Sequence, residues 1–100
     1  MSIPKMAEPY WGNNAEGELL IGGMKISSLA ARYGTPLFVY DRDIVEQKYL
    51  ALRRALPRGF EINYSVKANP NPALLRYFLQ KGCGLEIASA GEFCLARNVG

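Results

Sequence analysis

Lys67 is the residue of this chain whose type and position best suit covalent chemistry. It closes a run, Phe60 to Ala68, that alternates cleanly: Phe60, Ile62, Tyr64 and Val66 on one face, Glu61, Asn63, Ser65 and Lys67 on the other. The Asn69-Pro70 pair then breaks the run. A lysine at the last inward position of a strand has two readings. It is a rim residue with its stem on apolar surface and its head in water, or it is a desolvated amine. Desolvation favours the neutral amine, the form that attacks a carbonyl to make a Schiff base.

Glu86 is the second candidate. In the run Leu85 to Ser89 it shares the inward direction with Ala88, while Leu85 and Ile87 face the other way. Its carboxylate either tunes a neighbouring amine or is a polar layer residue bonded to its neighbours. Ser89-x-x-Glu92 is a capping-box pattern, so both residues read as helix-capping groups, and Asn69 reads as a turn former. Other chemistries are excluded within this segment. There is no histidine, and Cys83 and Cys94 have neither CxxC nor Cys/His spacing, so metal ligation and histidine-based catalysis have no residues to work with. The two cysteines read as buried free thiols. Asn63-Tyr64-Ser65 fits the glycosylation sequon but lies in an expected buried strand.

The elements that must position these groups follow from periodicity. Residues 1–18 are polar and punctuated by Gly and Pro, and read as an extended or irregular lead. Leu19 to Ile21 before Gly22-Gly23 is a brief strand and turn. Ile26 to Tyr33 is a short helix with Ser27 or Ser28 as cap and Gly34 as stop. Leu37-Phe38-Val39-Tyr40 is a compact strand. Asp41 caps a helix whose apolar stripe is Ile44, Val45, Lys48, Tyr49, Leu52 and Leu56, ending at Pro57. Asn71 caps a further helix with Pro72 at its first position, buried through Leu74, Leu75, Phe78 and Leu79 and stopped at Gly82. Leu85 to Ser89 is a third strand, and Gly91 to Asn98 opens a last helix.

Three strands, each followed by a helix, make an α/β architecture with a parallel sheet. The polar inward face of the central strand suits a closed barrel, where polar groups gather at the C-terminal strand ends. A barrel takes roughly 250 residues, so the 100 residues here are expected to be about three βα units of a longer protein. Taken alone they would leave an open sheet edge and are not expected to be active. Composition agrees with a soluble globular protein, 49% hydrophobic and 21% charged. The net charge of +3 is spread over interspersed residues, with Arg53-Arg54 the only adjacent basic pair, so no nucleic-acid patch is present. No apolar run reaches the ~20 residues of a membrane span and no signal-peptide core opens the chain, which points to the cytoplasm.

Three ordered segments resemble one family. Tyr64-Ser65-Val66-Lys67-Ala68-Asn69-Pro70-Asn71 is similar to the Y-[AS]-[VMLI]-K-A-N motif of the barrel-type decarboxylases that use pyridoxal phosphate (PLP), including those acting on diaminopimelate, ornithine and arginine. Leu29 through Asp41, LAARYGTPLFVYD, resembles the first helix and strand of the diaminopimelate enzymes. Gly84 through Glu92 resembles the family's G-x-[DE]-x-[AV]-S-x-G-E, with Glu86 in place of the commoner aspartate.

The resemblance implies an alanine-racemase-like PLP-binding (β/α)8 barrel, of which residues 26–100 are the first part. The lead, residues 1–25, would contribute to a β domain. It implies PLP held by Lys67 as an internal aldimine, with Glu86 on the cofactor's side, and decarboxylation of a small amino-acid substrate in a homodimer with shared active sites. The family's pyridine-nitrogen glutamate, phosphate loop and partner-subunit residues would all lie downstream. Three other readings remain: an amino-acid racemase of the same fold, whose lysine motif continues differently from Asn69-Pro70-Asn71-Pro72, a non-catalytic homologue that regulates a partner, and a PLP-carrier protein, whose short single-domain barrel lacks the GTPLFVYD-type entry.

Overall fold

The computed structural model describes Lys5 and residues 7–100 of the chain, so the start of the N-terminal lead lies outside the described residues. The chain divides into two compact units, Met1–Leu56 and Pro57–Gly100.

The first unit begins with a loop closed by one side chain. Asn14 Oδ1 accepts from the backbone N–H groups of Glu16, at 3.1 Å, and Glu18, at 2.9 Å. An isolated antiparallel bridge joins Asn13 to Leu19. Residues 14–18 of the lead are therefore folded by an Asx-type turn, where the sequence suggests only an irregular segment. β1 (Leu20–Ile21) and β2 (Met24–Lys25) form a small antiparallel hairpin. Gly22 and Gly23 make its turn at positive φ, 57° and 77°, which a side chain with a Cβ rarely adopts.

α1 (Ile26–Tyr33) follows directly and contributes the buried Leu29. Its cap differs from expectation. Ser27 and Ser28 lie inside the helix, and the Ser27 N–H is taken by Glu18 Oε1 at 2.8 Å. The hairpin brings a longer acidic side chain to the helix start, and an anion there also meets the positive end of the helix dipole. α2 (Arg42–Ala55) is capped as expected by Asp41, whose Oδ1 accepts from the Asp43 N–H at 2.9 Å. The other carboxylate oxygen of Asp41 accepts from the Trp11 indole at 3.3 Å, tying the lead to the helix start. Lys48 of α2 bonds the Tyr10 hydroxyl and lies 4.7 Å from that ring's centroid.

Leu37-Phe38-Val39-Tyr40 is not a strand: none of the four pairs in a ladder, and Phe38 is 85% exposed. β-propensity expresses fit to a pleated, half-buried surface, and no described segment supplies that surface here.

The second unit is a βαβα arrangement. β3 (Asn63–Ser65) pairs in parallel with β4 (Gly84–Glu86), through α3 (Pro72–Gln80), and α4 (Ala90–Val99) follows. The parallel sheet thus has two strands where three were expected, and both are shorter than their alternating runs. The core is Val66, Leu75, Tyr77 and Cys83, with Val66 and Leu75 fully buried. α3 packs on β4 and α4. Tyr64 stacks on Phe78 of α3, with centroids 4.3 Å apart and planes at 14°, which fixes the strand's apolar face toward that helix.

Asn71 Oδ1 caps α3 by accepting from the Ala73 N–H at 2.9 Å, with Pro72 in the first turn. Gly82, at φ 81°, turns the chain after α3. Tyr77 is the core residue that the expected helix stripe omits. Cys83 is buried as expected. Cys94 is exposed, against expectation, because α4 buries no residue in this unit.

Candidate active site

The site residues stand at the C-terminal ends of the two parallel strands. β3 ends at Ser65, and Val66–Ala68 forms a single 3-10 turn. The uninterrupted strand expected through Ala68 is therefore replaced at its end. Alternation does not carry through to Lys67, whose direction is set by the turn.

Packing and two hydrogen bonds hold that turn. Val66, fully buried, anchors it from within the core, and the turn packs on α4. The Tyr64 hydroxyl donates to the Asn69 carbonyl at 2.9 Å, bridging the segment that contains Lys67. Asn69 Oδ1 accepts from the Asn71 N–H at 3.1 Å, an Asx-type bond that starts the turn into α3. Asn69 is thus a turn former, as the sequence suggests.

Lys67 itself is exposed and makes no hydrogen bond or ion pair among the described residues. Its backbone is pinned on both sides while its amine is left free. Of the two readings of Lys67 the structure gives the solvent-exposed one, not the desolvated amine; an accessible primary amine with no competing partner can still condense with an aldehyde. The residues present therefore fit the carbonyl end of PLP.

Glu86 lies directly across the ladder from Ser65. The Ser65 hydroxyl donates to Glu86 Oε2 at 2.6 Å, so the two side chains share one face of the sheet, the inward face that alternation assigns to both. The described residues contain no Lys67–Glu86 ion pair. The structure places lysine and carboxylate at the ends of adjacent strands and engages the carboxylate with the serine. Sequence reasoning put Ser65 and Glu86 on the same face but did not pair them. The missing information was the register, Asn63↔Gly84, Tyr64↔Leu85 and Ser65↔Glu86. At the first paired position, a Cβ on Gly84 would meet the Asn63 side-chain oxygen opposite.

The start of α4 borders the site and is built as a capping box. Ser89 Oγ accepts from the Glu92 N–H at 3.1 Å, and Glu92 Oε1 reaches back to the Ala88 N–H at 3.1 Å. Both groups are used by the helix start, in keeping with a capping role.

Comparison with known proteins adds the lineage. Residues 42–100 match the model of the pyridoxal binding domain of pyridoxal-dependent decarboxylases. A diaminopimelate decarboxylase of Aquifex aeolicus is 39% identical over 100 residues, all of this chain and 23% of that protein. An L-glutamyl-[BtrI acyl-carrier protein] decarboxylase of Niallia circulans is 42% identical over 76 residues, 76% of this chain and 18% of that protein. The crystal structure of a diaminopimelate decarboxylase from M. jannaschii superposes with a TM-score of 0.83 at 28% identity, covering 94% of this chain and 23% of that one. The chain therefore spans about a fifth to a quarter of the length of these relatives.

Proposed function

The chain belongs to the pyridoxal-dependent decarboxylases, and from that premise we propose that the full-length protein decarboxylates an amino acid, in the manner of the diaminopimelate enzymes. Lys67 is proposed as the residue that carries PLP. The observation that carries this reading is a free, exposed amine on a pinned turn at the end of a parallel strand, inside the segment matched by the pyridoxal binding domain.

PLP, when bound, supplies an electron sink for the carbanion left by the departing carboxylate. The chain's own groups supply position. Val66, the Tyr64–Asn69 bond and the Asn69–Asn71 bond fix the backbone on either side of the amine. Glu86, at the end of the adjacent strand, would offer a carboxylate to the Lys67 ammonium whenever that amine is free. Such pairing favours the charged forms of both groups. In this reading Glu86 tunes the site and Lys67 performs the covalent step.

We place residues 26–100 in the first part of a PLP-binding barrel and assign the lead, residues 1–25, to a β domain. The full-length protein is proposed to act as a cytoplasmic homodimer on a small-molecule amino acid. The family motifs and the diaminopimelate decarboxylase relative favour this assignment. Among the described residues no helix is long and apolar enough to cross a membrane.

Borohydride reduction of the full-length protein with PLP tests the proposal, followed by peptide mapping and by CO2 release from meso-diaminopimelate and other amino acids. Label on Lys67 together with CO2 release supports the decarboxylase. Label without turnover supports a regulatory homologue, and interconversion of enantiomers without CO2 supports a racemase. Absence of label on Lys67 overturns the assignment.

A further inference from the structure

We propose that Ser65 is a positioning residue matched to Glu86: its hydroxyl holds the longer carboxylate of glutamate in the place it must occupy beside the lysine-bearing turn. The inference rests on the reading of Lys67 and Glu86 given above, and adds to it a residue that acts only through Glu86.

The geometry is specific. Ser65 and Glu86 are ladder partners at the last paired position of two parallel strands, which sets their side chains next to each other on one face. The 2.6 Å separation from Ser65 Oγ to Glu86 Oε2 is in the range of charge-assisted O–H···O⁻ bonds, the shorter and stronger class. Glu86 is exposed and has no ion pair among the described residues. Nothing else in this unit restrains its three side-chain torsions, and a free glutamate would sample many rotamers.

One carboxylate oxygen is thus fixed by the serine while Oε1 is left to accept from another donor. Glutamate places its carboxylate one methylene further from the strand than aspartate would. A hydroxyl directly across the ladder meets that extra reach and turns a mobile side chain into a fixed one. The serine also sits two residues before Lys67, at the end of β3 and immediately ahead of the turn, so the hydroxyl and the lysine share one short backbone segment.

The test uses the full-length protein loaded with PLP. It compares Ser65→Ala, Ser65→Thr, Glu86→Ala and the Ser65→Ala/Glu86→Ala double variant for kcat, KM, thermal midpoint and the visible circular dichroism of the bound cofactor. Ser65→Ala is expected to lower kcat about three- to tenfold with KM and thermal midpoint little changed, and to alter the visible dichroism. Ser65→Thr, which keeps the hydroxyl, is expected to restore both. In the Glu86→Ala background the serine substitution is expected to have no further effect, since its partner is gone.

Three results would overturn the proposal: wild-type kcat and dichroism in Ser65→Ala, equal impairment by threonine, or an undiminished serine effect when Glu86 is already alanine. Borohydride labelling run in parallel separates the two levels of inference. Labelled Lys67 with a silent serine rejects the role of Ser65 alone, whereas unlabelled Lys67 rejects the site reading and this inference with it.

Discussion

The two units of this chain are held together in different ways. In Pro57–Gly100, four buried residues, Val66, Leu75, Tyr77 and Cys83, form a core under a parallel strand pair. In Met1–Leu56 the only buried apolar residue among those described is Leu29. There the order comes from polar devices: the Asn14 loop, Glu18 at the start of α1, and Asp41 serving both α2 and Trp11. Large side chains stay open in that unit, Tyr33 at 60% and Phe38 at 85%. The candidate chemistry lies in the unit with the core. A lysine that must hold a cofactor in one orientation needs a backbone that does not move, and a fully buried neighbour such as Val66 supplies that fixity better than exposed hydrogen bonds do.

The largest expected effect tests where the chemistry lies. If Lys67 carries the cofactor as proposed, Lys67→Ala in the full-length protein should abolish decarboxylation, by several orders of magnitude, and remove the visible absorbance of bound cofactor, because the covalent route would be gone. Steady-state kinetics and an absorbance spectrum check both. Near-normal turnover would mean that Lys67 does not carry the reaction.

The contrast between core and polar devices can be measured directly. Leu75→Ala removes a fully buried side chain and should destabilise the second unit by about 2–5 kcal/mol. Asp41→Ala removes a cap and the Trp11 partner and should cost α2 only about 0.5–2 kcal/mol. Amide hydrogen exchange at residues 63–65 and 84–86 reads the first, and exchange along α2 reads the second. Equal losses would erase the distinction between the units.

Within the site the next step down is Glu86→Gln. If Glu86 tunes the lysine, turnover should fall by about ten- to a hundredfold, or roughly 1.4 to 2.8 kcal/mol of barrier, with fold and cofactor attachment kept. Glu86→Asp should be milder. Wild-type rates in the Gln variant would assign Glu86 to plain packing. A loss as complete as that of Lys67→Ala would make it a primary catalytic group.

What was legible in the sequence follows the same division. Helices with a side-chain cap and an apolar stripe were read almost to the residue: Asp41 before Arg42–Ala55 and Asn71 before Pro72–Gln80. Caps and stripes are local, and local signals survive whatever the rest of the chain does. Strands were overread. Alternation over Phe60 to Ala68 extends beyond the three residues that pair, because a ladder ends where its partner ends, and β4 stops at Glu86. Leu37 to Tyr40 has strand composition and no ladder, the same lesson in stronger form. Lys67 stands out in the sequence through its place before Asn69-Pro70, but the 3-10 turn that presents it does not, since nothing in the alternating pattern marks a change to that turn. Ser65 escaped as a partner because pairing across parallel strands depends on register, and register is set by non-local contacts.

The smallest expected effect belongs to the first unit and is read by pH. Hydrogen bonds from the Ser27 hydroxyl, then from the Ser27 backbone, with a lesser contribution from the Lys25 charge, hold the Glu18 carboxyl below the usual glutamate range. A carboxylate whose pKa is depressed by folding binds fewer protons in the native state than in the unfolded one. Its contribution is therefore fully present above the ordinary glutamate pKa and is lost as pH falls through the lowered folded value. Because Glu18 reaches the first turn of α1, protonation should loosen that turn first. Amide exchange or chemical shift at Ser27, followed from neutral pH into the acid range, should show protection declining only below the usual glutamate titration range. Glu18→Gln should show weaker protection at neutral pH and no such acid step. A step of equal size in the Gln variant would assign the acid sensitivity of α1 to another group, and Glu18 would then be a side chain that happens to lie near the helix start.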